Sequence, residues 1–304
     1  MRKGWVKLVK KKKVEESIPA TGLQVVIREF LKEKLAIISL VILLIIIIGA
    51  FVWAPLIDKD ELMKISLANI FLPPGENGFI LGTDQGGSDV LGQLVIGARN
   101  SLLIAFSITA ISMFLGVLIG SIAGYYGGFI DNLIMRILDF YITLPTLMLI
   151  IVFVTIVPKY NVLTFVLILS AFSWVSTARL TRSKVLSEVR KDYVSASKTM
   201  GTSDFSIIFK GIIPNISSIL IVELVLNLAG NVGIETGLSY LGFGLPPDVP
   251  SLGTLVGYAS NSDVIEDKYW VWLPASLLIL ILMLAINYVG QVFRRVADSK
   301  QRLG

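Results

Sequence analysis

The sequence predicts an all-α integral membrane protein with six transmembrane helices, on three observations. Of its 304 residues, 54% are hydrophobic and only 16% charged, with a mean hydropathy of +0.78, which is more apolar than water-soluble domains are. The apolar residues gather into six runs, each close to the roughly 20 residues a helix needs to cross about 30 Å of hydrocarbon. Lys and Arg concentrate in alternate connecting segments, as they do in loops retained on the inner side of a membrane.

The first run, Leu35 to Ile57, holds 23 uncharged residues. It is longer than a signal-peptide core and lacks a small-residue cleavage site before Asp58, so it reads as a retained span. Five more follow: Ser101 to Tyr125, Ile137 to Val157, Asn161 to Ala178, Ile216 to Leu241 and Tyr269 to Val292. Lipid cannot satisfy open backbone groups, so each is expected as a helix. In the second span Gly116, Gly120 and Gly124 stand four apart, a spacing that lets helix backbones approach closely.

The resulting organisation is a basic tail over 1–34, the first span over 35–57, an external loop over 58–99, a five-helix core over 100–292 with a polar loop at 179–215, and a tail over 293–304. Six spans put both termini on one side. With that side taken as cytoplasmic, the tails and inner loops hold 22 of the 27 Lys and Arg, while the outer segments 58–99 and 242–268 hold ten Asp and Glu. Much of the net charge of +5 lies in the first 34 residues, which marks a membrane-flanking tail rather than a nucleic-acid surface.

Composition also removes several chemistries. The chain has no Cys and no His, which excludes disulfides, thiolate or imidazole metal sites and Ser-His or Cys-His catalysis within it. Gly237-Leu-Ser239-Tyr-Leu241 begins like a nucleophile elbow but ends in Leu. The chain contains no Gly-Lys pair and therefore no phosphate-binding loop of the G-x-x-x-x-G-K type. The glycines 82, 86, 87 and 92, with Thr83, Asp84 and Asp89, read as a structured turn feeding the second span.

The loop 179–215 is the unusual part. Val185, Val189, Tyr193, Ala196 and Met200 recur at helical spacing, predicting a surface helix. Gly201 suits the left-handed residue that ends it, Thr202 or Ser203 suits the next cap, and Asp204 suits a helix N-terminus. A second, short helix is expected with Phe205, Ile208, Phe209 and Ile212 as its apolar stripe, closed by Gly211 and Pro214. From periodicity alone, this hinged pair lies either in the lipid headgroups or against a protein.

The fifth span carries Glu223, Asn227, Asn231 and Glu235 at four-residue intervals, a slanting polar stripe. The stripe lines a translocation path, with Glu223 the best candidate, or it bonds to Thr109, Ser112, Ser170 or Ser173 on neighbouring helices. Asp139, Tyr141 and Thr143 are candidates for an inner gate, with Asp139 alternatively paired to Arg136 at i and i+3.

The elbow spacing resembles the cytoplasmic signature of bacterial ABC importer permeases: E-A-A, three residues, G, nine residues, I-x-L-P. The counterparts are Ser195-Ala196-Ser197, Gly201, Gly211 and Ile213-Pro214, with serines replacing the Glu and the second Ala. A longer resemblance, from about Lys34 to Arg295, is to the second permease subunit of oligopeptide and dipeptide importers. It is carried by LGTDQGGSDVLGQLVIGARNSL (81–102), GYYGGFIDNLIMRILDFYITLP (124–145), the elbow, ETGLSYLGFGLPPDVPSLGTL (235–255) and NYVGQVFRR (287–295). Gly87-Ser88-Asp89 stands where that family usually has G-R-D, and Leu252 where it often has Trp.

The resemblance implies a bacterial or archaeal cell-membrane location and a transporter subunit that is not itself an enzyme. It implies a homologous second permease, two cytoplasmic ATPase subunits that carry ATP and Mg, and an external peptide-binding protein. The chain itself is then expected to hold no cofactor and no metal, and to bind no nucleic acid. Asp192, Ser195, Ala196, Ser197, Gly201, Phe205, Ile208, Phe209 and Pro214 would form the coupling element that docks the ATPase. The same build carries nickel or oligosaccharide in other members, and a proton-coupled carrier using Glu223 and Glu235 is a rival from another class.

Overall fold

The computed structural model describes residues 33–157, 160–246 and 248–303, with side chains described as far as Arg295. The basic tail predicted for 1–34 therefore lies almost wholly outside the described residues. Among the described residues, five helices are long and apolar enough to cross a membrane, or six if one bent pair counts as a single span. The described residues form an all-helical bundle.

Helix α1, Lys34–Trp53, leads through a short helical turn, Lys59–Leu62, into a glycine-rich loop. That loop starts α2, Val90–Tyr126, a helix of 37 residues. Its first amides are taken by Asp89, whose carboxylate accepts from Leu91 N at 3.1 Å and Gly92 N at 3.0 Å. This is an N-cap that also places negative charge at the positive helix end. Gly127, at φ 62°, ends the helix.

The third span departs from expectation. The apolar run from Ile137 to Val157 is not one rod but two, α3 (Gly128–Thr143) and α4 (Thr146–Ile156), bent by 80° at Leu144-Pro145. Proline has no amide hydrogen to give and its ring clashes with the preceding turn, which breaks the helix there.

Helix α5, Val162–Glu188, runs on past the apolar segment that predicted it. The single surface helix expected from Val185 to Met200 is consequently two: Val185 belongs to α5, and α6, Asp192–Thr199, begins after a turn at 189–191. Beyond Gly201, the second elbow helix is not short. Asp204–Tyr240 is one continuous helix of 37 residues, here α7, with a π-helical segment at Ile207–Ile212. Pro214 does not close it. The wider π turns join the elbow to the fifth span.

The chain then forms α8 (Leu252–Gly257), α9 (Ser262–Asp267) and α10 (Tyr269–Leu303). Glu33 pairs with Arg295, so the start of α1 and the far part of α10 lie at the same end of the bundle.

Helices α2 and α5 form the tightest seam. A methyl group on Gly116 would stand 2.6 Å from Thr177 Cβ, and one on Gly124 would stand 2.7 Å from the Arg182 carbonyl oxygen. The four-residue glycine spacing thus serves close backbone packing. One core joins α1, α2, α7, α8 and α10 around Leu102, Val232, Leu252, Leu255 and Leu282. A second joins α2, α4 and α5 around Ile108, Phe165 and Leu169.

Candidate functional site

The elbow is built on a third core, in which Met113 and Tyr125 of α2 and Val185 of α5 meet Val194 of α6 and Ile207, Ile208 and Ile212 of α7. Gly201 has φ 79°, a conformation that β-carbon-bearing residues rarely adopt. Nothing lies within 4 Å of where its Cβ would be, so the glycine is needed for the backbone and not for space. Ser203 accepts from Ser206 N at 3.4 Å and starts α7.

The apolar stripe read from sequence divides in two. Ile208 is 4% and Ile212 0% exposed, both within the protein's own core, whereas Phe205 is 70% exposed. Its ring lies 4.4 Å from that of half-buried Phe209. On α6 the buried residue is Val194, and Ala196 and Met200 face outward. The surface the elbow presents is therefore Met200 with Phe205 and the edge of Phe209, flanked by exposed Asp192, Ser195 and Ala196. Ser197 is half-buried, its hydroxyl donating to the Tyr193 carbonyl at 2.8 Å. Pro214 is exposed where α7 leaves the elbow. Met200, which the sequence groups with Val185, Val189, Tyr193 and Ala196 at helical spacing, stands directly before the left-handed glycine and faces outward.

A chain of polar contacts ties the elbow to the spans. Tyr193 OH donates to Glu188 at 2.9 Å, and Lys191 pairs with the same carboxylate at 2.7 Å. Burial, foremost, holds the Tyr193 hydroxyl above its ordinary pKa, and the neighbouring Glu188 carboxylate adds to the rise. Together with Ser183, Lys184 and Asn215, the residues Glu188, Lys191 and Tyr193 line an open polar cavity of about 690 Å³.

The stripe on α7 runs from half-open to sealed. Asn227 Nδ2 donates to Thr177 Oγ1 at 3.1 Å and reaches Glu223 Oε1 at 3.4 Å, both residues of the stripe being half-buried. Asn231 Nδ2 donates to Thr109 Oγ1 at 2.8 Å and is 5% exposed. Glu235 is wholly buried. Its carboxylate accepts from the hydroxyls of Ser101 at 3.0 Å, Ser251 at 2.8 Å and Ser239 at 3.2 Å. At the upper half of the stripe, α2 and the segment before α8 close over Asn231 and Glu235. Of the neighbours predicted for the amides, Thr109 is used, while the buried hydroxyls of Ser112 and Ser170 have no partner among the described residues.

Asp139 pairs with Arg179 of α5, not with Arg136, because helix α3 turns Asp139 toward α5. Arg182 makes a two-pronged contact with Asp131 one turn further on. Tyr141 packs against Phe172 and Trp174 with centroids at 6.1 and 5.9 Å, and Thr143 is exposed beside the bend.

At the opposite end of the bundle the acidic turn is a cap. Asp84, 2% exposed, accepts from Gly86 N at 2.8 Å, Ser88 N at 2.9 Å, Gln93 Nε2 at 2.7 Å and Tyr258 OH at 3.1 Å. Burial together with that carboxylate holds the Tyr258 hydroxyl well above its usual pKa. Trp270 Nε1 donates to the Thr83 carbonyl at 3.2 Å and Asn100 Nδ2 to the Pro250 carbonyl at 2.8 Å. Segments 58–89 and 242–268 are thereby pinned to one another and to α2.

Comparison with known proteins gives a consistent result. Residues 116–303 match the family described as the binding-protein-dependent transport system inner membrane component, and residues 21–74 match the N-terminal TM domain of oligopeptide transport permease C. The chain is 46% identical to the oligopeptide transport system permease protein OppC of Lactococcus lactis, over 90% of this chain and 93% of that one. It is 32% identical to the protein of the same name from Bacillus subtilis, over 90% and 88%. Against the di/tripeptide transport system permease protein DppC of Pseudomonas aeruginosa it is 34% identical, over 90% of each.

Proposed function

Because the chain belongs to the family of binding-protein-dependent transport system inner membrane components, as a membrane permease of a peptide ABC importer, we propose that it works through its elbow, which docks a separate ATPase. The observation that carries this reading is the exposed pair Met200 and Phe205 on a rigid, glycine-hinged elbow whose other apolar residues are buried. An aromatic anchor on a fixed support suits a protein groove. The chain lacks the phosphate-binding loop that would let it use ATP itself, so hydrolysis falls to partner subunits carrying ATP and Mg.

The elbow end, with both described ends of the chain, is the cytoplasmic one, in keeping with the excess of Lys and Arg there. The pinned cap faces outward and receives peptide from an external binding protein. A homologous permease completes the path, which Glu223 and Asn227 line from this side, offering a carboxylate and an amide to peptide termini and backbone. ATP binding closes the ATPase pair and opens the path outward; hydrolysis resets it. Nickel or oligosaccharide as cargo draws no support from relatives named for oligopeptides and di/tripeptides.

The test is co-purification. Phe205→Asp and Gly201→Pro should leave the chain in the membrane and remove the ATPase subunits that accompany the wild-type protein. Undiminished ATPase recovery with Phe205→Asp overturns the docking role.

A further inference from the structure

We propose that Tyr125 is a positioning residue for energy coupling, tying the elbow to α2 so that a load on the elbow reaches a span beyond the two it continues into. The inference rests on the docking role of the elbow given above. Tyr125, near the end of α2, is 9% exposed. Its hydroxyl donates to Asp204 Oδ1 at 2.6 Å, in the first turn of α7. Lys198 of α6 holds its Nζ 6.0 Å from the centre of the same ring. One side chain thus touches both arms of the elbow, on either side of Gly201.

The covalent chain already joins the elbow to α5, through residues 189–191, and to α7, which is one helix with it. Helix α2 is reached only by non-covalent contacts. Among the described residues, Tyr125–Asp204 is the side-chain hydrogen bond that bridges this gap. A hydroxyl donating to a carboxylate is short and stronger than a neutral bond. Asp204 is followed directly by Phe205, so the contact stands immediately behind the exposed patch. At its far end α2 carries Gln93, whose amide donates to Asp84 in the cap at 2.7 Å. Between these ends its glycines lock it to α5. A displacement delivered at Asp204 therefore moves α2 as a rod and arrives at the outer cap, in addition to whatever α7 carries.

The experiment uses the whole complex, purified from membranes and returned to lipid vesicles, with uptake of a labelled oligopeptide mixture and phosphate release measured together. Tyr125→Phe should retain the ATPase subunits and its thermal unfolding, keep phosphate release within about twofold, and lower peptide imported per ATP by about tenfold, the scale expected for one charge-assisted bond lost from one of two states. Asp204→Asn keeps an acceptor oxygen and should retain most of the uptake; Asp204→Ala should behave as Tyr125→Phe. Unchanged import per ATP in Tyr125→Phe overturns the proposal. So does a loss that merely follows loss of bound ATPase, which would make the contact part of docking. A wild-type chain that recovers no ATPase overturns the elbow reading itself, a result distinguishable from either.

Discussion

Ser251 donates its hydroxyl to Glu235 Oε1 at 2.8 Å, and this bond closes the segment before α8 over the polar stripe of α7. Ser101 of α2 donates to the other carboxylate oxygen and also accepts from Leu252 N at 3.1 Å. Three segments distant in sequence thus meet at one buried carboxylate, held by hydroxyls and not by a cation. Such a group fixes geometry because every alternative arrangement leaves hydroxyls or the carboxylate unsatisfied.

Glu235→Ala should therefore lower stability by roughly 2 kcal/mol, at about 0.6 kcal/mol per hydrogen bond inside a membrane bundle plus a cavity term. Glu235→Gln, which keeps one acceptor, should lose less. Thermal unfolding in detergent orders the three proteins; a Gln variant as unstable as the Ala variant would contradict hydroxyl anchoring.

Gly120→Val should be more damaging than loss of the single bond between Asn231 and Thr109. A Cβ at Gly120 would meet the Ala178 backbone and stand 2.8 Å from Thr181 Cβ, and backbone cannot move aside as a flexible side chain can. Overpacking of this kind costs about 1–3 kcal/mol or more, and the recovery of folded protein from membranes should fall accordingly. Gly230→Val is the control, since nothing lies within 4 Å of its Cβ position.

These two cases mark what the sequence discloses. The spans are legible because an uncharged run of sufficient length has few other uses, and the glycine seam because small residues four apart have a known packing purpose. The break at Leu144-Pro145 is not legible, since proline inside an apolar run is also tolerated in continuous spanning helices. Fusion of the elbow to the fifth span is hidden for a related reason: Phe205, Ile208, Phe209 and Ile212 keep helical phase up to Pro214, and a π segment that carries a helix onward past proline has no composition of its own. Whether Asn227 and Asn231 face cargo or neighbours depends on Thr177 and Thr109, whose proximity no local pattern reveals.

The two lower residues of the stripe should separate from the upper two in experiment. Glu223→Gln retains an acceptor for Asn227 and should change stability by less than about 0.5 kcal/mol, while peptide uptake falls severalfold if its charge meets an ammonium terminus. Asn231→Ala removes a buried bond to Thr109 and should cost about 1 kcal/mol, with uptake falling only as far as the amount of folded protein does. Paired measurements of unfolding and uptake per folded complex check both; a stability loss in Glu223→Gln would move that residue into the helix-packing class.

The two ion pairs between α3 and α5 should differ in the same way as their burial. Asp131 and Arg182 have side chains 12% and 26% exposed, against 64% and 45% for Asp139 and Arg179. Arg182 grips Asp131 with two nitrogens, so removing the carboxylate leaves a largely desolvated guanidinium without a partner. Asp131→Asn should cost about 3 kcal/mol, in the range for breaking a buried pair, and the loss should persist in high salt. Asp139→Asn should cost about 0.5 kcal/mol and the difference from wild type should shrink as salt screens the exposed pair. Unfolding temperatures of both variants at low and high ionic strength decide the matter: equal losses would mean that α3 is held to α5 by its apolar contacts around Leu138 and not by the Asp131 clamp.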